Sequence, residues 1–180
     1  MKTFLISEDY IKSESTIDNN VSGKYIQQAI KLAQDIALQE IIGTKLYNYI
    51  QDNIDTLESP YIELVEEYIQ PYLLYKVLSE IIIPITYKIS NFGLVNTNDE
   101  NESVSEQVDK LKTYYDNKAN VYKKRLQDWC IYNRTKIPEL NKFDFPKDIY
   151  PNLYSSSNCN IWLGGERGKS IDYIDYKNLP

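Results

Sequence analysis

A chain of 180 residues without a histidine cannot build a Ser-His-Asp or Cys-His catalytic site, and it lacks the commonest metal ligand. Its formal charge is −6, carried by the first part of the chain: residues up to Asn133 hold 13 basic and 20 acidic groups, and the rest hold 7 and 6. An acidic body without a basic stripe is poorly suited to gripping nucleic acid through its phosphates. The two isolated cysteines, Cys130 and Cys159, lack CxxC spacing and point to inert thiols in a reducing compartment.

The first residues, MKTFLISEDYIK, reach Glu8 and Asp9 before any apolar run long enough for a secretory signal, so a chain made and kept in a cytoplasm is expected. Phe4 to Val21 reads as one or two helical turns capped by Ser7, with Glu8 and Asp9 at the positive end, and then a polar link. Ser22 opens an amphipathic helix in which Ile26, Ala29, Ile30, Ala33, Ile36, Ala37 and Ile41 recur in steps of three and four. Gly43 is placed to end it, and Thr44 to cap a short helix from Lys45 to Ile50. A polar stretch, Gln51 to Glu58, leads onward.

The organising stretch is Ser59 to Ser90. Ser59 suits the N-cap and Pro60 the first helical position, where no donor is needed. The apolar set that follows, from Ile62 through Ile82, covers more than one narrow face, as in a helix packed on several sides. Pro71 inside it predicts a kink and Pro84 the end of the regular part. Glu63, Glu66, Glu67, Lys76 and Glu80 leave no uncharged window of the length that a bilayer requires.

Beyond Pro84 the chain stays apolar to Val95 and then becomes TNDENES, a loop or hairpin tip. Ser103 and Glu106 fit a capping box. From there Val104, Val108, Leu111, Tyr115, Ala119, Tyr122, Leu126 and Trp129 give one stripe on a second long helix, expected to pack antiparallel to the first. The fold class is therefore all-α: a small helical bundle over residues 1–135, with a long Pro-kinked central helix and a second long antiparallel one. Residues 136–180 form an extended C-terminal arm.

The arm loses periodicity at Pro138, Pro146, Pro151, the serines 155–157 and the glycines 164, 165 and 168. It still carries Phe143, Phe145, Tyr150, Tyr154, Ile161, Trp162, Leu163, Ile171, Tyr173, Ile174 and Tyr176, too much apolar surface for a free linker. Either its own domain or a neighbouring chain must cover them. Candidate partner-binding residues are Tyr150, Tyr154, Ile161, Trp162, Leu163, Arg167, Tyr173 and Tyr176. The 17 tyrosines suit wet protein interfaces, although Tyr68, Tyr72, Tyr115 and Tyr122 read as core.

Two chemistries can be weighed. Gly164 to Ser170, GGERGKS, invites comparison with a phosphate-binding loop, but it is one residue short and no helix signal follows. Glu63 and Glu67 share a helical face with Glu66 beside them, yet no second carboxylate cluster matches them, so neither a metal nor any other cofactor is expected.

FLISEDYIK at 4–12, AIKLAQD at 29–35, IIGTKLYNYI at 41–50 and YIELVEEYIQPYLLYKVLSE at 61–80 resemble the head–tail connector, or neck ring, proteins of tailed bacteriophages, in particular those of crAss-like phages. The placement of the long helix ending near Trp129 is similar as well. The resemblance implies a non-enzymatic, structural virion subunit in a ring, commonly of twelve copies, between the portal protein and the adjoining neck or tail rings. Such a homo-oligomer would be assembled in the host cytoplasm and would extend the DNA channel without binding DNA specifically and without a membrane. The alternatives are a soluble helical adaptor or a nucleotide-binding protein using Gly164 to Ser170.

Overall fold

The computed structural model of the chain describes residues 3–18, 20–90, 93–96, 103–142, 144 and 146–154, and of residues 88–90, 93–96 and 103–105 the backbone alone. Ser7 opens α1 (Glu8–Ser13) as its position suggests, its hydroxyl accepting the Tyr10 N–H at 3.1 Å. Ser22 makes no side-chain cap on α2 (Gly23–Leu32); the Glu8 carboxylate lies against Gly23 at that end instead. That places a negative charge at the positive end of the helix.

α2 continues into a π turn, Ala33–Leu38, and then into α3 (Gln39–Asp52). A π turn holds one residue more than an α turn, so the three-and-four spacing loses register there. Gln34 accordingly faces inward at 1% exposure, while Ile36, expected on the apolar face, is 61% exposed. The buried amide is fully used: Oε1 accepts the Leu5 N–H at 2.9 Å, and Nε2 donates to the Thr3 carbonyl at 2.8 Å and to the Tyr47 hydroxyl at 3.1 Å. These bonds tie the N-terminal segment to the bundle. α3 itself breaks at Gly43, as its glycine suggests, with φ 79° and ψ 162°.

α4 (Tyr61–Glu63), a second π turn (Leu64–Ile69) and α5 (Gln70–Thr86) make one rod. Its start differs from the expected Ser59 cap: Pro60 holds the cap position without a side-chain bond, and the Tyr61 N–H donates to the Glu58 carbonyl at 2.8 Å. The irregularity expected at Pro71 takes the form of the π turn just before it. An extra residue in that turn accommodates a ring that would otherwise clash with the carbonyl four residues back. Pro84 does not end the rod, which runs on to Thr86. Only one rung of the ladder is missing so close to the end, and the Thr86 hydroxyl donates to the Ile82 carbonyl at 2.8 Å.

β1 (Tyr87–Ser90) and β2 (Gly93–Asn96) pair as an antiparallel hairpin, Tyr87 opposite Asn96 and Ser90 opposite Gly93. Residues 97–102, within the stretch expected as a loop or hairpin tip, lie after β2 and outside the described residues. α6 (Ser103–Tyr132) returns along α5. Tyr68 meets Trp129, Tyr75 stacks on Tyr122, and Ser79 bonds Asp116, so numbers rise on one helix as they fall on the other. The pair is antiparallel, as its stripes suggest. The Ser103 side chain of the proposed capping box lies outside the described residues, and Glu106 pairs with Lys110 at 2.6 Å.

One core joins these elements, from Leu5 and Ile6 through Ile41, Leu46, Leu64, Leu73, Val77, Leu126 and Trp129. Tyr72 is buried in it, and Tyr68, Tyr115 and Tyr122 pack against it as expected. The architecture is all-α apart from the hairpin. Among the described residues, no helix is long and apolar enough to cross a membrane.

Candidate functional site

The first half of the arm is fastened to the bundle, and the fastening is built on the break at Gly43. Interrupting α3 there frees backbone groups on both sides, and the arm takes them up. The Thr44 N–H donates to the Ile149 carbonyl at 3.0 Å, and the Ile149 N–H donates to the Thr44 hydroxyl at 2.8 Å. Thr44 thus binds the arm instead of capping the helix after it. Across the break, the Asn152 N–H donates to the Glu40 carbonyl at 3.1 Å, and Gln127 on α6 donates to the Asn152 carbonyl at 2.7 Å.

Side chains reinforce this clasp. Pro151 packs on Gly43 too closely for a Cβ there, and Leu153 is buried in the common core, as are Leu140 of a 3₁₀ turn, Pro138–Asn141, and Ile137 just before it. Lys45 pairs with Asp144 and, at 3.2 Å, with Asp148. The Asp144 N–H, and then the Lys45 ammonium, hold the Asp148 carboxyl below its usual range. Tyr61 donates its hydroxyl hydrogen bond to Glu139 at 2.6 Å. The bundle therefore fastens its own chain as far as Leu153, burying Ile137, Leu140, Pro151 and Leu153.

Of the candidate partner-binding residues, Tyr150 is exposed, its hydroxyl accepting from Arg134 at 3.0 Å, and Tyr154 is 69% exposed. Ile161, Trp162, Leu163, Arg167, Tyr173 and Tyr176, with all of Gly164 to Ser170, lie outside the described residues, as do Phe143 and Phe145.

The exposed side of α6 carries a second feature. Leu111, Tyr114, Lys118, Val121, Arg125, Asp128 and Tyr132 follow steps of three and four and so share one face. Leu111 and Tyr114 are exposed, Val121 is 60% exposed and Tyr132 is 82% exposed. From Leu111 to Tyr132 the stripe runs ~32 Å at the helical rise. The Lys118 ammonium lies over the Tyr114 ring at 4.5 Å from its centroid.

Between α3, α5 and α6 lies a polar cavity of about 180 Å³, lined by Glu40, Tyr72, Lys76, Asp116, Asn120 and Lys123. Its Lys76 and Asp116 are ion-paired. Ser79 donates to Asp116 at 2.6 Å, Lys112 approaches Asp116 at 3.0 Å, and Lys76 reaches Glu80 at 2.7 Å and Asp116 at 3.5 Å. Burial alone would raise the Asp116 carboxyl, but the Ser79 and Lys112 bonds and the Lys76 charge outweigh it and hold it low. Burial raises the Tyr72 phenol well above its ordinary range. Ser79 and Lys76 of α5 thus brace Asp116 of α6, and the neutral Tyr72 phenol beside them offers no activated nucleophile.

The remaining chemical candidates resolve into structure. Glu63 accepts the Trp129 indole N–H at 3.1 Å, fixing the α6 C-terminal part to the rod; Glu66 and Glu67 are exposed. Among the described residues no three of His, Cys, Asp and Glu gather in a metal-binding group. Burial pushes the Cys130 thiol up to about 12. Sequence reasoning missed both the clasp and the stripe. The clasp had a signal in Gly43 facing Pro151, but pairing them requires the fold.

No curated protein and no solved structure matches the chain. The DUF6712 family, a family of unknown function, matches residues 38–146, from the π turn after α2 to the start of the clasp segment, and the chain belongs to that family.

Proposed function

We propose that the protein is a structural subunit that assembles side by side into the neck ring of a tailed phage, joining the portal to the tail. The observation that carries this reading is the α6 stripe, where Leu111, Tyr114, Val121 and Tyr132 stay uncovered along most of a 30-residue helix. Apolar side chains aligned on one helix face, with Lys118, Arg125 and Asp128 between them, have the composition of a protein–protein contact. The resemblance of the segments around α1, α3 and α5 to connector proteins supplies the kind of assembly. In such a ring, the acidic balance of residues up to Asn133 would lower the adhesion of passing DNA by like-charge repulsion.

The experiment is the solution mass of the full chain by light scattering across a concentration series, beside Val121→Glu, with electron microscopy of any large species. Wild type is expected to form closed rings, and the variant, with unchanged helix content, to stay small. If wild type stays monomeric at every concentration and is missing from purified virions of its phage, the reading is wrong.

A further inference from the structure

The π turn that carries Gln34 inward carries Ile36 outward, and Ile36 does not stand alone there. Gln28, Leu32, Ile36 and Glu40 follow steps of four along one face of the run from α2 into α3, with Lys31 and Asp35 beside them. Leu32 is 41% exposed, and Lys31 and Glu40 are exposed as well. Glu40 shares the polar cavity with Lys123 of α6. Val121 and Arg125 of the α6 stripe stand two residues from Lys123, ~200° round the helix. Glu40 and the stripe therefore lie on opposite sides of α6. Among the described residues, Lys31, Glu40, Arg125 and Asp128 have no ion-pair partner, so their charges are available to a neighbour.

We propose that the α6 stripe of one copy packs antiparallel on the α2–α3 face of the next, Val121 against Ile36, with Asp128 paired to Lys31, Arg125 to Asp35 and Lys118 to Glu40. Charge order selects this arrangement. From Lys118 to Asp128 the stripe runs ~15 Å, and from Lys31 to Glu40 the other face runs ~14 Å at the helical rise. Set antiparallel, the sequence of plus, plus, minus on α6 meets minus, minus, plus on the neighbour, and the aliphatic residue between the two cations meets the one between the two carboxylates. Set parallel, Lys118 would face Lys31 and Asp128 would face Glu40. Two stripes fail on each other for the same reason: antiparallel about Val121 they bring Lys118 against Lys124 of the other copy, and parallel they bring every charge against its own kind. The contact, which rests on the ring reading above, joins two different faces on opposite sides of α6. That is the heterologous arrangement from which rings close.

The test uses the full chain with Cys159→Ser, leaving Cys130 buried. Val121→Cys and Ile36→Cys are made in separate chains, mixed in equal amounts and oxidised under native conditions up to millimolar protein. The mixture is expected to give a dimer containing one of each, in excess over links between like chains. Lys118→Glu and Glu40→Lys, each with unchanged helix content, should weaken association about tenfold or more in light scattering, as for close interfacial charge pairs. Both changes in one chain should restore it. Links only between two Val121→Cys chains, no mixed link at any concentration, or association indifferent to Glu40→Lys overturns the proposal. Electron microscopy of wild type separates the two readings. Rings without the mixed link leave the ring reading standing and remove this contact. A mixed link in a protein that forms only open chains, and is absent from virions, keeps the contact and removes the ring.

Discussion

Gly43 and Pro151, 108 positions apart in the sequence, are in direct contact: a Cβ on Gly43 would stand 2.7 Å from the Pro151 Cγ. The glycine also holds φ 79° and ψ 162°, a conformation essentially closed to residues with a side chain. Gly43→Ala therefore meets two penalties, ~1–3 kcal/mol for the backbone and a further ~1 kcal/mol or more for overpacking. Urea denaturation should show Gly43→Ala destabilised by the sum. Adding Pro151→Ala should recover only the second part. An alanine variant as stable as wild type would remove the helix break from this account.

The clasp should open before the bundle does. Thr44→Val removes the acceptor of the Ile149 N–H. The expected cost is about 1 kcal/mol, the ordinary net worth of such a bond. Local opening of the arm exposes its backbone to proteases, so tryptic cuts after Lys142 and Lys147 should appear sooner in Thr44→Val than in wild type, with the thermal midpoint little changed. Equal cleavage rates in the two proteins would mean that other contacts hold the arm.

The long elements were legible because packing and local signals agree in them. The Ser7 cap, the Gly43 break and the antiparallel pairing of the long helices all follow from spacing and side-chain chemistry. What escaped was the form of the two π turns, where the backbone leaves the α period without a break. A π turn carries no residue signature of its own, so Ile36 was expected on the apolar face, which Gln34 takes instead. The second π turn was foreshadowed by Pro71, whose ring demands some irregularity without specifying which. The clasp escaped for a different reason: each of its hydrogen bonds has a backbone group of Glu40, Thr44, Ile149 or Asn152 as at least one partner, and backbone partners are invisible to residue identity.

The inward turn of Gln34 makes it a sensitive position. Replacing it with leucine keeps most of the volume but leaves the buried Leu5 N–H without its acceptor and takes one donor from the Thr3 carbonyl. A buried unsatisfied donor costs about 1–3 kcal/mol. Gln34→Leu should lower stability by that amount and raise hydrogen exchange selectively at the amides of Leu5 and of α1. Gln34→Glu, which retains an acceptor for Leu5 but not the donor for Thr3, should fall between. A leucine variant with unchanged exchange in this segment would show that Ile6 and Ile11, both buried, hold the segment by packing alone.

The acid limb of stability should report on Asp116. Its carboxyl lies below the ordinary range in the folded protein, because the bonds from Ser79 and Lys112 and the Lys76 charge outweigh the desolvation that would raise it. A folded value lower than the unfolded one, about 3.9, means that the unfolded chain binds its proton first. Asp116 therefore contributes stability above roughly pH 4, and that contribution is lost as pH falls through the folded value. Glu40, Glu80 and Lys123 lie around the same cavity and network, and about a third of the Asp116 side chain is exposed, so screening limits its contribution to ~0.5–1 kcal/mol. Asp116→Asn should be less stable than wild type at pH 7 by that amount, and the two urea midpoints should converge between pH 4 and pH 2. Because the interaction couples α5 to α6, high salt should shrink the difference only in part. A gap between the two proteins that persists unchanged at pH 2 would assign the loss to the shape of the side chain and not to its charge.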